Sequence, residues 1–456
     1  MCKSVPIRVA LVLLLVAVCW VQAFGADIYV SKSTGKDSNA GTKDKPKKLL
    51  WKVLGKVSPG DTVRVAEGEY NGRGKSGLMP KFAVSDVVIE GGWKADFSER
   101  DPFRYLTIIT APGDKQGETG SVFHVESPDT KVGNVTLDGF CIDRGPANYY
   151  YGDGEPGANK SIAGHQKDSC WGYQFINKKM SGSDPVVQLI GRGSFTVRNL
   201  LLVNCPWWGI YVKGGGQDAI TIENNLILSS QGRGIEAIAG GGWGPPKFVI
   251  RNNTVAFNHA ISETEGRALS LDPRKGGATY MVAKNVLAFS DGSGVAVKFA
   301  PGGDGLVLGE NLFFFNRRGD FGVGGKGLAN AEDFEDELEF TAEENVRKLP
   351  AFLAKTGKAW FDRYSMREAV DMLKGDFNSA DDLVAARAAF GLKEYHIPGY
   401  DKTFAGYKDL PPKRNNYNMS RYPHPMKKGE AMDWKKAVLP LIGADGTLGI
   451  QPTAGK

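Results

Sequence analysis

Between residues 194 and 330, apolar and polar positions alternate in short bursts that recur at a nearly fixed interval. Five bursts (Phe195-Thr196-Val197, Ile220-Thr221-Ile222, Phe248-Val249-Ile250, Tyr280-Met281-Val282 and Leu306-Val307-Leu308) open five segments, 194–219, 220–247, 248–278, 279–305 and 306–330. A period of two predicts a strand with one buried face. Three positions past the last apolar residue come Asn225, Asn253, Asn285 and Asn311, with Leu200 in the first copy; the Asn steps are 28, 32 and 26 residues. A second short apolar strand follows, then a turn and a third strand, as in Gly209-Ile210-Tyr211-Val212-Lys213 and Gly294-Val295-Ala296-Val297-Lys298. Three strands per repeat of this size predict a solenoid. Each unit leaves backbone donors and acceptors that only a neighbouring unit can satisfy, so the units must stack. An Asn at one fixed place can then pair from rung to rung. Looser copies lie upstream, at Val135-Thr136-Leu137 and Val187-Gln188-Leu189. The fold class is therefore all-β, a single-stranded parallel β-helix.

Composition agrees: 59 glycines among 456 residues suit a turn-dense all-β chain. A net charge of +6 gives no ground for a nucleic-acid partner. Lys3 and Arg8 precede an apolar run over 9–21, and Ala23 or Ala26 offers a small residue for cleavage, so 1–26 reads as a signal peptide. The run is short for a membrane span, and no later segment is long and apolar enough to be one. The expected location is secreted: periplasmic, cell-envelope or extracellular. Cleavage leaves Cys141, Cys170 and Cys205, too few for a disulfide framework and without metal-ligand spacing.

The mature start carries Ile28-Tyr29-Val30, a Gly35–Thr42 turn, Pro46, an amphipathic helix over 48–57, and then Pro59-Gly60-Asp61-Thr62-Val63. This opening resembles secreted right-handed parallel β-helix proteins of the pectate-lyase-like superfamily. The resemblance implies a right-handed coil over 27–350, with the helix capping its first turn and covering an otherwise open sheet edge. An insertion over 143–184, rich in Tyr149-Tyr150-Tyr151, His165, Trp171 and Tyr173, interrupts the coil. Residues 351–456 form an irregular, partly helical tail, with helices expected at 367–373 and 381–390, that wraps back along the solenoid as a monomer. The acidic run 332–344 reads as a solvated helix or loop.

Alternation in the third strands turns Ile210, Val212, Ile235, Ala237, Leu269, Leu271, Val295 and Val297 inward. One outward row then holds Tyr211, Glu236, Ser270 and Ala296, and a second holds Lys213, Ile238, Asp272 and Lys298. His124 belongs to a rung further up. Arg267 precedes its strand, Arg274 and Lys275 follow Asp272, and Trp207-Trp208 precede Tyr211. An acid, a phenol and several cations on one face suit chemistry on an acidic, uronate-containing glycan. β-Elimination there needs a cation for the carboxylate, a base for the α-proton and a donor for the leaving oxygen. Lys298 or Lys213 is the expected base and Tyr211 the proton donor or acceptor. Arg274, Arg267 and Lys275 are expected to hold the carboxylate and Trp207 and Trp208 to stack on sugar rings. Asp272 would orient Lys298 or hold a calcium ion.

Asp272-Pro273-Arg274-Lys275 also resembles the Asp-Pro-His-Asp motif of mannuronan epimerases, with Arg274 and Lys275 in place of its His and Asp, and Leu269 where that family has Tyr. The leading expectation is a polysaccharide lyase or uronate epimerase. One alternative is a glycoside hydrolase using Glu236 and Asp272. The other is a non-catalytic envelope or surface β-helix that binds glycan or protein.

Overall fold

The computed structural model describes residues 25–110, 120–126, 133–144, 150–151, 174–175, 433–453 and, with gaps that include 259–265, 299–304 and 329–340, residues 185–351. Its strands form three sheets of ten, nine and eight strands, with successive coils contributing neighbouring strands to each. Pairing between coils is parallel and in register, as in Phe195↔Ile220↔Phe248↔Tyr280↔Leu306. The chain is a parallel β-helix.

The interior follows the alternation. Ile210, Val212, Ile235, Ala237, Leu269, Leu271, Val295 and Val297 are all buried in one continuous core. Aromatics stack along it, with the Phe248 and Tyr280 rings 5.0 Å apart and nearly parallel. The asparagines form the ladder that the spacing predicts. Each Oδ1 accepts the backbone N–H and the amide of the Asn before it, from Asn225 through Asn253, Asn285 and Asn311 to Asn345. Leu200 joins through its backbone N–H, which donates to Asn225 Oδ1 at 3.0 Å. This is why the first copy needs no amide.

The helix expected over 48–57 spans Leu50–Leu54 and buries Leu50, Val53 and Leu54 against the first coil. Thr341–Glu343, inside the acidic run read as helix or loop, is instead a strand paired with Leu306–Gly309. Parallel pairing uses backbone groups, and the one acidic side chain of this strand, Glu343, is exposed, so charge does not oppose it. Within the insertion, Tyr150–Tyr151 and Gln174–Phe175 pair antiparallel; the rest of it, the helices expected at 367–373 and 381–390, and residues 1–24 lie outside the described residues. Near the C-terminus, Trp434–Ala437 is a short helix, and Gly449 and Gln451 hydrogen-bond to Lys284 and Asn224 of the coil. Cys141 and Cys205 are buried free thiols. Among the described residues no helix is long and apolar enough to cross a membrane.

Candidate functional site

The eight-stranded sheet aligns the strands Phe123–Glu126, Val187–Arg192, Trp208–Gly215, Arg233–Ala239, Arg267–Asp272 and Val295–Val297. Its register puts His124, Gln188, Tyr211, Glu236, Ser270 and Ala296 in one row. A second row runs Glu126, Ile190, Lys213, Ile238 and Asp272. The first expected row is present and His124 joins it; the second is present through Asp272, while Lys298 falls one residue past its strand Val295–Val297.

The face is less bare than alternation suggests. Glu236, Ser270, Asp272, Ile238 and Ala296 are buried, and Tyr211 is half-buried. Long neighbours lie over them. Trp208 stacks on Tyr211 with ring centroids 5.3 Å apart and planes 12° from parallel, and Trp207 meets Trp208 edge-on. The Arg233 guanidinium sits 5.2 Å from the Trp208 ring and forms an ion pair with Glu236. A cation over an aromatic face, held in turn by a carboxylate, gives a fixed platform. Gly232 makes room for it, since a Cβ there would lie 2.9 Å from the Trp207 carbonyl oxygen and 3.2 Å from the Trp208 ring.

Asp272 is the second centre. Its Oδ2 receives Lys298 Nζ at 3.1 Å and faces Arg274 Nε at 3.8 Å, while Oδ1 accepts the Arg274 backbone N–H at 3.2 Å. Arg274 has φ +47°, the left-handed conformation that turns the chain sharply after the strand. Its side chain and that of Lys298 remain 42% and 56% exposed above a buried carboxylate. Lys213 is elsewhere, with Nζ 5.3 Å from the Trp243 ring. Both lysines expected as bases therefore have partners, Lys298 a carboxylate and Lys213 an aromatic face. Arg267 aligns with Arg233 on the next rung, and Lys275 lies outside the described residues.

The phenol of Tyr211 is pushed up to about 12, first by burial and then by the Glu236 carboxylate, with Asp272 and Glu126 adding to it against Arg274. It is a proton donor at neutral pH, not an acceptor. For calcium the donor set fits poorly: both Asp272 oxygens already serve Lys298 and Arg274, whose charges oppose a divalent cation. Among the described residues no group of three His, Cys, Asp or Glu side chains gathers to hold a metal.

Arg233 and Trp243 were missed from sequence. Strict alternation from Ile235 assigns position 233 to the interior, but Arg233, the first residue of its strand, pairs with Glu236 of the outward row and lies against the Trp208 ring. A sequence signal for Arg233 is that it stands two residues before Ile235 as Arg267 stands two before Leu269, and the two pair as the first residues of adjacent strands.

No family model matches the sequence, and no curated protein does. Among solved structures the chain is similar to a complex of XylC with xylose (12% identity, 65% of this chain and 63% of that one, TM-score 0.39). It is also similar to a rhamnogalacturonan lyase (13%, 64% and 74%, TM-score 0.32) and to the GH136 lacto-N-biosidase of Eubacterium ramulus (14%, 71% and 68%, TM-score 0.31). The likeness is a distant one to carbohydrate-active β-helix proteins, and no residue role is carried over from them.

Proposed function

We propose that this chain is a secreted enzyme that modifies an acidic, uronate-containing polysaccharide by β-elimination or epimerisation. The observation that carries the reading is Tyr211: a half-buried phenol with its ring held against Trp208, on a face crossed by Arg233, Arg274 and Lys298, and with its acidity lowered by burial. Both reactions place negative charge beside a carboxylate in the transition state. Prepositioned cations and a hydrogen-bond donor lower that barrier without reorganising. Arg274, its side chain 42% exposed, offers a guanidinium for the carboxylate while its backbone is pinned to Asp272. Trp208 and Trp207 supply the apolar surface that a sugar ring stacks on. Hydrolysis by Glu236 and Asp272 is the weaker reading, because each carboxylate is already engaged by a cation, an arrangement for fixed charge rather than for proton donation.

The test is a proton NMR time course of the mature protein on a panel of polyuronates. Olefinic signals identify a lyase, and altered anomeric ratios without cleavage identify an epimerase. Tyr211→Phe should lower kcat by about 10²–10⁴-fold, the range for loss of a general acid, while oligouronate binding persists. New reducing ends without unsaturation would move the chemistry to Glu236 and Asp272. No product with any polyuronate, alongside retention of glycan that Trp208→Ala weakens, would make the protein a binding solenoid.

A further inference from the structure

The reading above leaves the base unassigned, and the same sheet holds a group of the right kind. His124 stands in the row of Tyr211, two rungs away across Gln188, about 10 Å at the usual strand spacing. Its Nε2 lies 2.8 Å from Glu126 Oε2, and Glu126 receives Lys81 Nζ at 2.7 Å. The Lys81 hydrogen bond holds the Glu126 carboxyl below the usual range against its partial burial, and His124 adds to the effect. Glu126 is thus a fixed anion that orients the imidazole through one nitrogen and leaves Nδ1 for a second partner. Between His124 and Tyr211, Gln188 takes a hydrogen bond from Ser121 at 3.2 Å. Lys213 follows Tyr211 by two positions on the same strand and face, with its ammonium against the Trp243 ring.

We propose that His124, oriented by Glu126, is the catalytic base of this site, acting on a uronate ring seated over Gln188 with Tyr211 as the acid. The inference rests on the eliminating or epimerising function proposed above. In elimination, His124 takes the proton from the carbon that bears the carboxylate. The C–H electron pair becomes a double bond to the adjacent carbon, whose bond to the glycosidic oxygen breaks. That oxygen takes the Tyr211 proton, and solvent then removes the proton from His124 and restores that of Tyr211. In epimerisation the carbon–oxygen bond stays intact, and Tyr211 returns a proton to the opposite face of the carbon. Glu126 is a positioning residue in both.

The experiment uses the full mature chain. His124→Ala should lose about 10²–10⁴-fold in kcat with an unchanged melting temperature, and added imidazole should restore part of the rate in proportion to its free-base concentration. His124→Gln, which keeps a polar contact to Glu126, should be equally slow and show no acidic limb in its pH profile. Independently of turnover, the His124 ring signals, assigned by their absence in His124→Ala, should shift when an oligouronate is added to the Tyr211→Phe protein. Turnover of His124→Ala within a few-fold of wild type, beside a dead Tyr211→Phe, would overturn this inference and leave the proposed function standing. Unmoved His124 signals at saturating oligouronate would do the same. A wild-type chain inert toward every polyuronate would overturn both.

Discussion

A buried amide is tolerated only when both of its ends are used, and the ladder asparagines use theirs fully. Asn285 donates to the Ile250 carbonyl at 2.9 Å and to Asn311, while its Oδ1 serves Asn253. Asn285→Ala would strand the Ile250 carbonyl and the Asn253 donors in the core, and each such group costs roughly 1–3 kcal/mol. The expected loss in urea unfolding is at least that of one group, whereas Asn345→Ala, at the half-buried end of the ladder, should cost less. The first ladder could be read from sequence because one residue type recurs at one place. A second could not: Asn258 donates to Ser290 Oγ at 3.0 Å, and Asn316 Oδ1 accepts the Ser290 N–H at 3.2 Å, so alternating Ser and Asn hide the period. Buried phenols give this scale a pH signature. Tyr70, Tyr211 and Tyr280 are all raised by burial in the folded chain, Tyr211 to about 12. A folded value above the unfolded one near 10 means that the contribution is full below pH 10 and is lost as pH climbs past it. Melting temperature should therefore fall from pH 9 to pH 11, and Tyr280→Phe should make that fall shallower. Equal slopes for the two proteins would refute the assignment to Tyr280.

Among the elements, the eight- and ten-stranded sheets alternate in sequence because one of their faces meets the core and the other does not. Strands of the nine-stranded sheet, such as Leu226–Leu228 and Val286–Ala288, are buried at every position. They have no period of two to read, as expected for strands covered on both faces. Part of their outer cover is the segment 447–451, which lies against the coils that hold Asn224, Asn252, Thr254 and Lys284. Ile450 N–H donates to Thr254 Oγ1 at 3.0 Å, Gly449 N–H to the Lys284 carbonyl at 2.8 Å, and Asn252 to the Thr447 carbonyl at 3.0 Å. Gly449 has φ +65°, and a Cβ there would lie 2.4 Å from Thr254 Oγ1 and 2.8 Å from Val286 Cγ2. Gly449→Ala therefore combines backbone strain with a clash against a buried strand. It should loosen the segment, seen as faster limited proteolysis between 443 and 453 and a lower melting temperature. Protection equal to wild type would mean that the segment is not held through this contact. The sequence leads one to expect that the tail packs back on the solenoid, but no pattern in residues 433–453 tells which rungs it meets.

A solenoid bonds each coil only to its neighbours, so its ends are where the whole molecule is exposed to fraying. At the first coil, Leu50, Val53 and Leu54 of the short helix close the core over Val63 and Val65. At the far end of the eight-stranded sheet, Phe321–Val323 turns back on Lys326–Leu328 in an antiparallel pair, which occupies the edge that another parallel rung would use. Between the ends, a charge ladder ties coils together. Buried Asp138 is held by Arg100 Nη2 at 2.7 Å and Arg198 Nε at 2.8 Å, and Glu223 links to Arg251 at 2.7 Å. The candidate site runs from His124, on the strand at one edge of the eight-stranded sheet, to Lys298, and its centre at Trp208–Gly215 and Arg233–Ala239 lies several coils beyond the cap. Nearest-neighbour coupling then makes a specific demand. Leu54→Asp buries an unpaired carboxylate under the cap, a cost of several kcal/mol, but the damage should stay local. Hydrogen exchange of this variant should quicken in Thr62–Ala66 and Val87–Trp93 while Trp208–Gly215 and Arg233–Ala239 stay protected. The glycan retention proposed for Trp208 and Tyr211 should survive with it. Uniform loss of protection over all coils, together with loss of binding, would instead show that the β-helix unfolds as one cooperative body, and that the cap supports the site from the far end of the molecule.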